Sequence, residues 1–125
     1  MNIQTVSKLT GLSAHTLRYY EKIDLLLNIR RDSKGYRDYD EKDLIWIEFI
    51  KRLKATNMPL KEIKTFALLR SKGDSTINDR LEILRNHQKR VKRQMIDLLL
   101  HQEKIKEKIA LCKKGGELKS PEKIP

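Results

Sequence analysis

Ser13-Ala14-His15-Thr16-Leu17-Arg18-Tyr19-Tyr20-Glu21, followed after a short charged interval by Gly35-Tyr36-Arg37-Asp38-Tyr39-Asp40, decides how this chain is read. Ser13 is a good N-cap, with its hydroxyl free to accept a first-turn amide. The helix it starts turns Leu17 and Tyr20 inward and leaves Ala14, His15, Thr16, Arg18 and Tyr19 around its outer side. The second stretch reads as the return strand of a basic hairpin, with Gly35 supplying a positive-φ turn residue between Asn28-Ile29-Arg30-Arg31 and Tyr36-Arg37-Asp38-Tyr39.

Working outward, Ile3, Val6 and Leu9 recur at helical spacing and Gly11 stops them, so two short helices meet at Gly11-Leu12 as a helix-turn-helix. Asp40 caps a third helix, with Asp43 in the place of the capping-box acid. Leu44, Ile47, Ile50 and Leu53, with Ile45, Trp46 and Phe49 near them, give that helix a broad apolar stripe. Asn57-Met58-Pro59 breaks it, and Pro59 fits a first helical position. Leu60, Ile63, Phe66 and Ala67 make the buried face of the next helix, which Gly73 ends.

Beyond Gly73, Ile77, Leu81, Leu84, Gln88, Val91, Met95, Leu98, Gln102, Ile105, Ile109 and Cys112 alternate spacings of 4 and 3 residues. This is a coiled-coil seam of about five heptads. A lone helix cannot bury such a seam, so it needs a partner, and the two glutamines can set register. The expected division is a winged helix-turn-helix domain at 1–73, a dimerisation helix at 74–113 and a disordered tail at 114–125. The fold class is mainly α, with one small β-hairpin.

Composition agrees. Of 125 residues, 36% are charged and 6% aromatic, so the core is aliphatic and thin, and a compact monomer would be marginal. The net charge of +11 favours an anionic partner. It is spread evenly, with 15 Lys/Arg against 9 Asp/Glu in residues 1–73 and 13 against 8 in residues 74–125. Its placement near Arg30 and Arg31 therefore says more than its sum.

A helix placing His15, Thr16, Arg18 and Tyr19 in a major groove, flanked by Arg30, Arg31, Lys34, Tyr36 and Arg37 on phosphates, is a double-stranded DNA reader. Phosphate-loop, nucleophile–base and carboxylate-pair patterns are lacking, so no enzyme is expected. A single cysteine, Cys112, gives no intrachain disulfide or multi-thiolate site, and His87 and His101 are about 21 Å apart along a helix. No metal and no cofactor are expected. No apolar run reaches membrane-spanning length, so the reading is a cytoplasmic protein without a membrane partner.

Over about residues 1–113 the chain resembles the MerR family of bacterial transcription regulators. The resemblance rests on Thr16-Leu17-Arg18-Tyr19-Tyr20-Glu21, Gly35-Tyr36-Arg37-Asp38-Tyr39-Asp40, Asp43-Leu44-Ile45-Trp46-Ile47-Glu48-Phe49-Ile50 and Leu60-Lys61-Glu62-Ile63-Lys64, in that order and spacing. Trp46-Ile47-Glu48-Phe49-Ile50 and Gly73-Asp74-Ser75-Thr76 are most similar to its short aldehyde- or thiol-stress members. Two departures stand out. Arg52 occupies the position where that subgroup often has cysteine, and Leu27-Asn28-Ile29 replaces the usual proline run. The resemblance implies a homodimer with an antiparallel coil, on a pseudo-palindromic promoter whose widely spaced elements it distorts to realign for RNA polymerase. Because the chain ends after the coil, none of the larger drug-binding domain of some relatives is expected, and the effector is unspecified. Two other classes compete: an architectural protein that bends its site constitutively, and a coiled-coil adaptor that does not bind DNA.

Overall fold

The computed structural model describes residues 1–115. Its order is α1 (Ile3–Thr10), α2 (Ala14–Lys22), β1 (Arg30–Arg31), β2 (Arg37–Asp38), α3 (Glu41–Ala55), α4 (Leu60–Ser71), a 3₁₀ turn (Asp74–Thr76) and α5 (Ile77–Lys113). Most of the tail expected at 114–125 lies outside the described residues.

Local caps set the ends of α1. Asn2 caps α1 by accepting from the Thr5 amide at 2.9 Å, and Gly11, at φ 75°, closes it in the left-handed region. The expected stripe Ile3, Val6, Leu9 is corrected at its last member, because Leu9 is exposed and Thr10 is buried. Steps of three residues drift about 60° around a helix, whereas a residue seven positions on, as Thr10 is from Ile3, returns close to the first. Thr10 tolerates burial because its hydroxyl donates to the Val6 carbonyl at 2.8 Å and accepts from the Leu12 amide at 3.2 Å.

The hairpin is shorter than the two four-residue strands expected. Only Arg30↔Asp38 and Arg31↔Arg37 pair. Asn28 has φ 61°, which ends the extended run before β1, and the Asp32 carboxylate accepts from the Lys34 and Tyr36 amides, turning the chain after it. Tyr39 leaves β2 for the core, its amide donating to the Met1 carbonyl at 2.8 Å. Burial pushes the Tyr39 phenol above its ordinary range and keeps it neutral.

The first of two compact units, Met1–His87, holds one core. Val6, Leu17, Leu25, Leu26, Tyr39, Ile47, Ile50 and Ile63 are its deepest apolar members. Within the α3 stripe Trp46 is buried, while Ile45 is 69% exposed. The indole earns its place by donating to the Leu25 carbonyl at 2.8 Å and stacking on Phe66 at 5.5 Å. The Arg70 guanidinium also lies over the ring, 5.2 Å from its centre. Pro59 stands one residue before α4, its carbonyl accepting from Glu62 and Ile63, and Leu60 is exposed where a buried residue was expected. The helix closes at Ser71, two residues before Gly73.

The first turns of α5 also belong to this unit: Ile83 and Leu84 pack on its core, and His87 Nε2 lies 2.7 Å from the Thr56 hydroxyl. Leu84, read as seam, thus contacts the core of its own chain. The second unit begins at Gln88 and continues α5. Along it Met95, Leu98, Ile105 and Ile109 are exposed.

At the start of α3 the capping box is complete: the Asp43 amide donates to Asp40 at 2.9 Å and the Asp40 amide to Asp43 at 3.0 Å. The Asp43 amide holds the Asp40 carboxyl below its ordinary range, whereas burial pushes Asp43 up. Asp40→Ala should therefore lower stability by about 0.5–2 kcal/mol near neutrality. The cap's contribution is complete above the unfolded carboxylate value of about 3.9 and fades as pH falls through the lower folded one. Urea unfolding of both proteins over a pH series should show the gap closing in acid.

Candidate nucleic-acid interface

Leu17 and Tyr20 point α2 into the core, and everything else about the interface follows from that rotation. Tyr20 is 4% exposed and its neighbour Tyr19 is 49% exposed. Ser13 accepts the Thr16 amide at 3.0 Å, and its own hydroxyl donates to Thr16 Oγ1 at 3.0 Å. His15, Arg18 and Tyr19 stand outside, Thr16 is half-buried, and Ala14 packs partly against the core.

In the hairpin, Arg31 lies across from Arg37. Like charges in that relation repel. Glu21, at the end of α2, answers both: Arg37 Nε donates to its carboxylate at 3.0 and 3.3 Å, and Arg31 Nη2 lies 3.5 Å away. Arg31 Nη1 also donates to the Gly35 carbonyl at 3.2 Å, tying the side chain to the hairpin turn. Arg30, the next residue along β1, turns instead toward Asp40, 3.7 Å away.

Between α1, α2 and the hairpin runs an open groove of about 480 Å³. Arg18, Arg31, Lys34, Tyr36 and Arg37 line it together with Asn2, Gln4 and Asp32. Five of the ten residues expected on DNA are thus gathered in one cleft. Arg30 is not among the groove's lining residues, and neither are Ala14, His15, Thr16 and Tyr19 of α2. Arg18 and Lys34 make no ion pair among the described residues, leaving their charges available to an anion.

Sequence reasoning missed Asn2, Gln4 and Glu21. The first two are ordinary polar residues at a helix start and carried no signal. Glu21 did carry one, being an acid at the end of the outward helix beside a basic hairpin.

Two short helices across a glycine turn, a basic two-stranded wing and a cationic groove between them define a winged helix-turn-helix protein. Residues 1–68 match the sequence profile of the MerR HTH family regulatory proteins, and residues 44–108 match the profile described as MerR, DNA binding. The chain belongs to the MerR family of transcriptional regulators. An uncharacterized HTH-type transcriptional regulator of Haemophilus influenzae is 42% identical over 110 residues, which span 88% of this chain and 82% of that protein. The crystal structure of HiNmlR, a MerR family regulator lacking the sensor domain, bound to promoter DNA, is similar with a TM-score of 0.84. Its identity is 39%, and the match covers 95% of this chain and 94% of that one. A MerR family regulator from Bacillus thuringiensis has a TM-score of 0.79 at 35% identity, covering 88% of this chain and 96% of that one. The relatives are named as regulators and none as an enzyme. Among the described residues no helix is long and apolar enough to cross a membrane.

Proposed function

We propose that this chain works as a homodimer on a pseudo-palindromic promoter site and distorts the duplex to control transcription by RNA polymerase. The observation that carries the reading is the groove in which Arg18, Arg31, Lys34 and Arg37 converge beside the outer face of α2. Arg18 and Tyr19, with His15, Thr16 and Ala14 around them, read the major groove, while Arg30, Arg31, Lys34, Tyr36 and Arg37 hold the flanking phosphates. Residues 1–73 form the DNA-binding part and 74–113 the dimerisation helix. The structural relative bound to promoter DNA supports this reading.

Dimerisation rests on the seam of α5. Leu98, at its middle, is 67% exposed in the single chain. Covering such a residue stabilises by about 1.5–3 kcal/mol. A twofold axis through the coil presents two wings to two half-sites. Bending a site by about 40–90° costs about 1–6 kcal/mol, and an effector coupling of about 1–3 kcal/mol is enough to tip that balance.

Selecting bound genomic fragments, then footprinting and transcribing them in vitro, tests the function. A regulator changes transcript level at the footprinted promoter. Constitutive bending without promoter-specific output would favour the architectural reading, and no footprint at all would favour an adaptor.

Arg18→Ala should weaken operator binding while leaving the dimer intact; unchanged affinity would count against the assigned face. Gel-shift titrations should also show steep salt dependence. A dimer neutralising about 6–10 phosphates loses about 10³–10⁵ in affinity between roughly 50 and 200 mM salt. Leu98→Asp should give monomers in sedimentation and abolish operator binding, and an intact dimer would refute the seam.

A further inference from the structure

Glu21 presents an electrostatic puzzle whose answer deepens the DNA-binding reading and rests on it. A carboxylate stands behind two of the cations, Arg31 and Arg37, that line the groove with Arg18 and Lys34. As a bare charge it would repel a phosphate chain and weaken binding. Its geometry is directed elsewhere. Both carboxylate oxygens accept from Arg37 Nε, at 3.0 and 3.3 Å, and one lies 3.5 Å from Arg31 Nη2. Glu21 is half-buried, at 22% side-chain exposure, and Arg37 is at 23%.

We infer that Glu21 is a positioning residue for DNA, acting through Arg37 and Arg31. Arginine is a long, rotamer-rich side chain with five donors in a planar fork. Binding Nε fixes the plane of that fork from behind. The two Nη groups of Arg37 make no other hydrogen bond among the described residues, and the residue lines the groove with Arg18 and Lys34. An arginine ordered in this way meets a phosphate with less conformational entropy left to lose. The same carboxylate offsets the repulsion between Arg31 and Arg37 across the hairpin. It also ties the wing to the last turn of α2, so the helix that reads bases and the strands that grip the backbone keep one spacing.

The test turns on a sign. Glu21→Gln removes a negative charge from a surface that meets a polyanion, so a charge-only account has binding tighten. The positioning account has it weaken, by about tenfold, the worth of one charge-assisted hydrogen bond. Affinity is measured by gel shift on a promoter fragment selected by the wild-type protein and on a mixed-sequence duplex. Circular dichroism and thermal melting check the fold. In an Arg37→Ala background the same substitution should lose most of its effect, whereas a general structural role would weaken both backgrounds equally. Glu21→Asp gives a second reading at constant charge: drawing the carboxylate back by one methylene should also weaken binding. Equal or tighter binding by Glu21→Gln, or wild-type affinity for Glu21→Asp, would overturn the inference while leaving the DNA-binding reading standing. A wild-type protein that retards neither duplex at low salt would end both.

Discussion

Burial of Leu17 and Tyr20 is the constraint from which the interface follows. Adjacent helix positions differ by about 100° around the axis, so a helix that sinks Leu17 and Tyr20 must lift Arg18 and Tyr19 into solvent. Leu17 and Tyr20 share one buried cluster with Leu25 and Leu26 just after the helix, Tyr39 from the wing, and Ile47 and Ile50 from α3. Three of these partners flank the hairpin, Leu25 and Leu26 before it and Tyr39 after β2. The core that rotates α2 is therefore also the core that anchors the wing, with Tyr39 as the nail. Helix and wing are placed relative to each other by packing first, and the Glu21 bridge trims the last degrees of freedom at the surface.

A second constraint lies in α5. It runs from Ile77 to Lys113, about 55 Å, and its apolar cover ends with Ile83, Leu84 and the buried His87. A helix carrying Met95, Leu98, Ile105 and Ile109 bare in water gains little from its own propensity alone, because most helical stability comes from tertiary burial. In the proposed homodimer, covering each of these residues stabilises by about 1.5–3 kcal/mol, in both copies at once. Against an association cost of about 4–15 kcal/mol, that supply is adequate. Leu81 and Leu84 differ along this stripe: Leu84 meets the core of its own chain, whereas Leu81 remains exposed.

Much of the fold was legible because local rules and tertiary packing agreed. Ser13, Asp40 with Asp43, and Gly11 mark helix ends through hydrogen bonds or backbone angles that single residues dictate. The misread helix faces share one cause, which is that periodicity says which residues can share a face but not how the face is rotated. Leu9, Ile45 and Leu60 fit their stripes yet are exposed, while Thr10 and Trp46 are buried because each satisfies its polar atom with a specific carbonyl. In the groove, Arg18, Arg31, Lys34, Tyr36 and Arg37 were legible from charge and position. Asn2 and Gln4 were not, since the chain start is held beside the wing by Met1, whose amine and carbonyl bond to Asp38 and Tyr39, a contact absent from any local pattern.

The wing shows why charge has to be read with its geometry. Arg30 and Arg31 are neighbours of the same type in the same strand, yet one turns to Asp40 and the other to Glu21 and Gly35. Strand alternation sends consecutive side chains to opposite faces, so a run of two arginines supplies one to each side of the ribbon. A net charge of +11 would draw this chain to any polyanion. What separates a fitted duplex contact from that general attraction is how few of the cations converge. Among the described residues Arg18 and Lys34 make no ion pair, and Arg31 and Arg37 are held by Glu21. That acid reduces the total charge of the surface, and a surface shaped only for attraction would have no use for it.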